Sequence, residues 1–551
     1  MKFNQYSRAH SRNVSSNLKS PLIGRVGIWL VLILLAAFPA VSRSETAIAA
    51  WIQRFNRAVN VEDIPQSLAA DSKGNVLVTG SSLISWANMD FSTIKYSRAG
   101  APLWTNYYGG DYVDAPQALT LDAEDNVIIA GCLQGENGRS NLVTLKYSSA
   151  GLPLWTNRYH NANATDDLPT AIATDGELNV MVTGYSFGNG TFDFTTIKYS
   201  PAGIPLWTNR GGIRIVPRAV AVDGFGNIII TGYSFDPTTW YDFTTIKLSS
   251  SGVPLWTNRY AGSAQLNDYA ESLVVDRNGN SFITGQSFDT IPGSIAAYIT
   301  TLKYSPAGVP LWTNHFSGGN VGNQASAIAL DAGGNVFVAG DYFATPTTKD
   351  VVTLKYGNNG TPIWTNRYGA LQNSNDVARA IAVDNKGNVF VAGTSAGANT
   401  GDDIVTIKYS NAGVPLWTNR YDGLPHADDQ VTSRICLALS PDGGVLVVGS
   451  SDGDFSGNTT PDFVTIKYVS LPAIVAGPTV EAGQFILRII GEPGSGYTIE
   501  RTDALSPANW QKATNLIAPT NDTGLGIGVF EFREALNGAA RKFYRAVNPA
   551  Y

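Results

Sequence analysis

The stretch AIAVDNKGNVFVAGTSAGANTGDDIVTIKYSNAGVPLWTNRY (380–421) decides the fold. It reads as four short strands: AIAVD (380–384), NVFVAG (388–393), DIVTIKY (403–409) and VPLWTNRY (414–421). Each has period-2 patterning, and Gly, Pro or Asn separate them. D-x-x-G-N joins the first two strands, at Asp384–Asn388 here and at Asp71–Asn75, Asp223–Asn227, Asp276–Asn280 and Asp331–Asn335 elsewhere. Asp can accept from the backbone ahead of it while Gly takes a positive φ, which predicts a tight hairpin. The third and fourth strands are joined by S-x-A-G-x-P, again with Gly for the turn and Pro at its exit.

The same unit recurs along the chain. PLWTN or a near variant places Trp104, Trp155, Trp207, Trp256, Trp312, Trp364 and Trp417 at spacings of 51, 52, 49, 56, 52 and 53, and Trp51 lies 53 before the first. T-[IL]-K ends at Lys95, Lys146, Lys198, Lys247, Lys303, Lys355, Lys408 and Lys467, alternating with the tryptophans. Four strands per roughly 50 residues is a propeller blade. The strand at about 47–55 precedes any first-type strand, and the last unit stops at Lys467 without a tryptophan strand. The N-terminal strand is therefore expected to complete the last blade. The fold expected is all-β: an eight-bladed β-propeller of four-stranded blades over 47–468, closed by the N-terminal strand. A linker (469–478) and a small β-sandwich (479–551) follow, the latter read from FILRII, GYTIER, NWQKAT, GVFEFRE and KFYRAV.

Composition agrees with this. The chain has 551 residues, with 56 Gly, 11% aromatic and only 15% charged residues. Coiled coils, charged disorder and basic nucleic-acid-binding domains are excluded on those figures. Lys2, Arg8, Arg12, Lys19 and Arg25 precede an apolar run, Val26–Val41, which reads as a signal peptide over 1–42. An uncleaved membrane anchor is the other reading, although the run falls short of the ~20 residues a spanning helix needs. Loss of residues 1–42 removes five basic residues and no acid, taking the formal net charge from -6 to -11. Export to the medium, the cell envelope or the periplasm is expected. No further membrane span, no nucleic-acid partner and a monomer are expected as well. Cys132 and Cys436 sit at different repeat positions in non-neighbouring units, so no disulfide is expected.

The unit A-I-A-V-D-x-x-G-N-V-x-V-T-G…D-F-x-T-I-K-Y-S-x-A-G-x-P-L-W-T-N-R-Y resembles the SBBP-type β-propeller repeat of exported and surface bacterial proteins, across 47–468. That resemblance implies an extracellular or cell-envelope propeller and no defined activity. The Gly-x-x-x-Trp spacing, as in Gly308/Trp312, is similar to the tryptophan-docking motif of eight-bladed quinoprotein propellers, with Tyr where that motif has Asp and Ala where it has Thr. The C-terminal segment resembles the Ig-like or fibronectin-like modules of exported bacterial repeat proteins.

Function is expected where the blades differ. The first-to-second and third-to-fourth turns share one face and hardly vary. Loops on the other face vary, for example SSLISWANMD (81–90) and YSFDPTTWYD (233–242), and variable loops on a rigid scaffold are where binding usually lives. Asp63, Asp114, Asp167, Asp268 and Asp376 each lie eight residues before the turn Asp or its equivalent, with Asn323 in the matching place. They are candidates for a carboxylate ring that binds a cation at the channel mouth, or for caps of the loops entering their strands. Trp86, Trp240 and Tyr241, with Tyr185, Phe187, Tyr233, Phe235, Tyr342 and Phe343, could stack on sugars or a protein surface, or pack between blades. Asp452, Asp454 and Ser456 before Gly457 imitate the start of a Ca²⁺ loop, but Phe463 stands where the bidentate acid belongs.

No catalytic residue is assigned. His160, His315 and His426 occupy no regular offset, and neither a G-x-S-x-G elbow with a plausible triad nor a phosphate-cradling loop is present. The eight lysines are expected to be polar ties between blades, with an Asp five residues earlier in six units (Asp90, Asp193, Asp242, Asp350, Asp403, Asp462) and a Thr two before. Two functional classes are carried forward. One is an exported scaffold that binds protein or carbohydrate, with no cofactor beyond Ca²⁺ at the loop just named. The other is a propeller enzyme, a quinoprotein-like oxidoreductase or a sugar-active lyase or hydrolase, using the Asp ring.

Overall fold

The computed structural model describes residues 46–471 except for short loop segments, and the strands within 479–547. Residues 1–45 lie outside the described residues, and the expected signal peptide over 1–42 with them. Seven four-stranded antiparallel sheets follow one another, from Asp63–Tyr108 to Asp376–Tyr421. An eighth is made by Asp429–Gln430, Leu437–Leu439, Val445–Asp452 and Pro461–Leu471, completed by the N-terminal strand Thr46–Phe55. That strand pairs antiparallel with the last one, Trp51 opposite Lys467, as the sequence predicts. The product is an eight-bladed propeller.

Blades bury their apolar residues against one another. Val76, Leu77 and Val78 on the second strand of the first blade are fully buried, and Leu77 and Phe91 share a cluster with Leu119, Val127 and Ile129 of the next blade. The second and third strands are covered on both sides, so they read as near-continuous apolar runs.

The repeated polar residues hold neighbouring blades in register. In the fourth blade, the Trp256 indole N–H donates to the Pro306 carbonyl of the fifth at 3.0 Å, and the Lys247 ammonium donates to the same oxygen at 3.2 Å. The Asn258 amide donates to the Gly308 carbonyl at 2.7 Å. Asn106, Asn157, Asn209, Asn314 and Asn366 repeat this last bond at 2.7 Å. Gly308, at φ +81°, lies against the Trp256 ring, and a Cβ there would come within 2.8 Å of it. PLWTN and S-x-A-G are thus the two halves of one contact between successive blades. Ring closure uses the same chemistry: Trp51 donates to Arg98 O at 3.0 Å and Asn419 to Ala47 O at 3.3 Å.

The lysines do tie blades together, but their carboxylate partner differs from the expected one. Lys95, Lys146, Lys198 and Lys247 pair with the hairpin aspartates Asp71, Asp122, Asp175 and Asp223 at 2.8–2.9 Å. A five-residue offset along a strand puts two side chains on opposite faces, so Asp90, Asp242 and Asp403 bond Arg57, Arg259 and Arg420 instead. In the last blade Ser440 replaces the hairpin Asp and Asp442 takes over, bonding Lys467 at 2.5 Å. Burial would raise the Asp71 carboxyl, but its bonds to Lys95 and Asn75 outweigh that and hold it below the usual range. Cys132 and Cys436 are both free thiols.

Beyond the ring, Thr479–Glu481, Gln484–Gly491 and Gly528–Ala535 form one three-stranded sheet, and Gly496–Thr502 lies between Gln511–Ile517 and Phe543–Val547 in another. The strands expected from sequence are there, together with the short Thr479–Glu481. Among the described residues no helix is long and apolar enough to cross a membrane.

Candidate ligand-binding face and channel

The five aspartates stand at the variable-loop end of the first strands and are 0–1% exposed. Each accepts from the loop that leads into its own strand. Asp114 takes Gly110 N–H at 2.6 Å and Gln134 N–H at 2.9 Å, and Asp268 takes Gly262 N–H at 2.6 Å and Phe288 N–H at 2.8 Å. Asp63, Asp167 and Asp376 bind Arg57, Asn161 and Ala370 N–H at 2.8–3.0 Å, and Ser395 donates to Asp376. Asn323 does the same work, accepting from Gly318 N–H and donating to Ala297 O. The side chains clamp loop to sheet and offer no open carboxylate edge to the channel. Sequence reasoning missed Asp429, the cap of the last blade, because the repeat is irregular there; it bonds Gly423 N–H. Burial pushes the Asp268 carboxyl up to about 7 and Asp429 to about 6.

Asp403, Asp422 and Asp429 bring carboxylate oxygens within 4.8 Å of one another. The Arg420 guanidinium lies against Asp403, with Nη2 at 2.6 Å and Nε at 3.0 Å, and already supplies a countercharge. Asp452 ends a strand, its backbone N–H bonded to Asp428 O at 3.0 Å. Asp454 and Ser456 lie outside the described residues, as does Trp86.

The aromatic expectation resolves into a group on blade three, where Tyr185 and Phe187 meet Phe192 at 5.3 and 4.9 Å, and a larger one on blades four and five. Tyr233 meets Tyr269 and Tyr241 edge-on at 4.9 and 5.4 Å. Phe235 meets Tyr241 at 5.6 Å and Trp240 at 6.4 Å. Trp240 is 56% exposed and Phe235 39%, while Tyr233, Tyr241 and Tyr269 are half-buried, so the group has a half-buried base and an open top. Trp240 sits at φ +64°, a conformation that a bulky L residue adopts at some cost. Tyr269 was not singled out from sequence; its signal is an aromatic directly after a cap Asp. Tyr342 is 6% exposed and belongs to the core. Arg218 stacks over Tyr233 at 5.6 Å and links the aromatic group to the central channel.

The channel is lined by the first strands of seven blades and by Ser433, Arg434 and Ile435 of the eighth, around a cavity of about 520 Å³. Its polar lining includes Arg218, Glu271, Arg379 and Arg434.

A family profile agrees with the propeller architecture. The SBBP β-propeller repeat profile matches residues 50–85 and 363–399. An uncharacterized WD repeat-containing protein of Acanthamoeba polyphaga mimivirus is 25% identical over 487 residues, 71% of this chain and 33% of that protein. The chain thus spans about a third of that relative's length. Among solved structures, Sqt1 from Chaetomium thermophilum is 10% identical with a TM-score of 0.44, covering 75% of this chain and 99% of that one. The WD40 domain of SCAP from fission yeast is 10% identical, TM-score 0.41, covering 77% and 98%. A polysaccharide lyase, an ulvan lyase, is 12% identical, TM-score 0.40, covering 75% and 95%. The chain is a β-propeller repeat protein.

Proposed function

We propose that the chain is an exported binding scaffold that holds a carbohydrate or protein ligand on its variable-loop face. The observation that carries this is the aromatic group of blades four and five, in which Trp240 and Phe235 stand exposed above Tyr233, Tyr241 and Tyr269. A large exposed ring held in a fixed, unfavourable backbone conformation suits stacking on an apolar sugar face or a partner side chain. Around it, Asp236 and Arg259, paired at 2.9 Å, supply polar atoms at the rim. The aspartates that an enzyme would need at the channel mouth are committed to their own loops, which favours binding over catalysis.

The test is a glycan array and a screen of extracellular proteins, probed with residues 43–551. Trp240→Ala and Phe235→Ala should each weaken a captured ligand at least about tenfold, the scale of one interface anchor, with an unchanged melting temperature. Binding that survives both substitutions would refute this location.

A further inference from the structure

The first strand of every regular blade carries one extra residue against its neighbour. Register jumps at Gln66, Gln117 and Thr170 in the first three blades. It jumps again at Arg218, Glu271, Ser326 and Arg379 in the next four. Opposite each bulge stands a glycine of the second strand. At Gly285 a Cβ would lie 2.0 Å from Tyr269 O, so only glycine lets the strands approach that closely. All seven bulged residues line the channel cavity. The repeat therefore builds a ring of inward-facing positions, and these are the positions that the repeat leaves free to vary.

The eighth blade alters the ring. The distance from cap residue to hairpin start is eight residues in the regular blades, as in Asp376 to Asp384, but eleven from Asp429 to Ser440. The extra length brings Ser433, Arg434 and Ile435 to the channel. Ile435 O accepts Leu68 N–H at 2.9 Å, anchoring this segment on the first blade. Arg434 then reaches Glu271 of the fifth blade, which also holds Arg218 at 3.4 Å. Glu271 is 6% exposed.

Three guanidinium groups and one carboxylate thus face one cavity in a chain whose formal net charge is -6. Glu271 serves Arg218 and Arg434. Arg379 forms no ion pair among the described residues, and its Nε is buried without a hydrogen-bond partner. A desolvated guanidinium N–H left unpaired is costly, and a planar carboxylate matches its fork. The remaining polar lining is uncharged, amides from Gln66 and Gln117 and hydroxyls from Thr170 and Ser326, which suits a polyol. The volume of about 520 Å³ falls among small-molecule sites, roughly 300–1,000 Å³.

We infer that the channel cavity binds a small hydroxylated carboxylate of the sugar-acid class, with Arg379 holding the carboxylate and the amide and hydroxyl ring holding the hydroxyls. The site meets the aromatic group at Arg218, which stacks over Tyr233, but uses neither exposed ring, so the two are tested separately.

The test is calorimetric titration of residues 43–551 with D-glucuronate, D-glucose, acetate and sulfate. Glucuronate should bind one per chain with a dissociation constant below about 1 mM, tighter than acetate or sulfate, while glucose gives no heat. Arg379→Gln should weaken glucuronate at least about tenfold, and the exposed Gln117→Leu, which leaves the charges in place, by about threefold. Glu271→Gln should tighten it, because a competing negative charge is lost. Trp240→Ala should leave it unchanged. The inference is overturned if glucuronate gives no heat, if glucose or sulfate binds equally well, or if folded Arg379→Gln and Gln117→Leu both bind as the parent does.

Discussion

Gly308 shows how much a single residue carries in this fold. It sits at φ +81° with the Trp256 ring where its side chain would be. An L residue in the left-handed region costs roughly 1–2 kcal/mol, and overpacking adds about 1–3 kcal/mol. Gly308→Ala should therefore destabilise the protein by about 2–5 kcal/mol in denaturant unfolding, whereas alanine at Gly224, where a Cβ meets nothing within 4 Å, should stay within about 0.5 kcal/mol. The spacing of Gly and Trp is plain in the sequence, but their partnership is not. The eye pairs Gly308 with Trp312 in the same unit, while the fold pairs it with Trp256 of the unit before. The same blindness affects Lys247. Its neighbour in sequence, Asp242, points to the other face of the strand, and its partner Asp223 is a hairpin away.

At the scale of elements, the hairpins were legible because each turn demands particular chemistry, Asp and Asn around Gly. The bulges were not, since a bulged strand keeps an ordinary composition and only its pairing reveals the extra residue. That is why Arg379 and Glu271 escaped notice: the bulge position holds a different kind of residue in most blades, and nothing local marks it as inward-facing. The cap aspartates join loop, first strand and second strand, and their burial has a pH signature. With Asp268 raised to about 7 and Asp429 to about 6, the folded state keeps protons that the unfolded chain releases near pH 4. Stability therefore falls as pH rises from about 4 to 7 and is level above that. The hairpin carboxyls Asp71, Asp122, Asp175 and Asp223 are shifted downward, so the stability they contribute is lost as pH falls below about 4. A melting profile over pH 3–8 should peak near pH 4, and Asp268→Ala should flatten its limb between 4 and 7. A peak above pH 7 would contradict this account of the caps.

For the whole molecule, division of labour follows from repetition. Residues that recur, the Trp, Lys, Asn and Gly of each unit, are consumed in blade-to-blade contacts, and those that differ stand on the variable face and around the channel. The blade count and the closing strand were legible because alternating Trp and Lys leave one unmatched strand at each end. The irregular eighth blade was not, because its three extra residues fall where the repeat fades. Everything placed on the ring depends on its closure by Thr46–Phe55, whose Trp51 donates to Arg98 O of the first blade and whose Ala47 O accepts from Asn419 of the seventh. Without that strand the last blade would expose the open edge of Pro461–Leu471. The most direct measurement is thermal unfolding of residues 56–551, alone and with the peptide TAIAAWIQRF added in trans. Loss of the single cooperative transition, restored by the peptide, is the predicted result, and a cooperative transition unchanged by the deletion would contradict the closed ring.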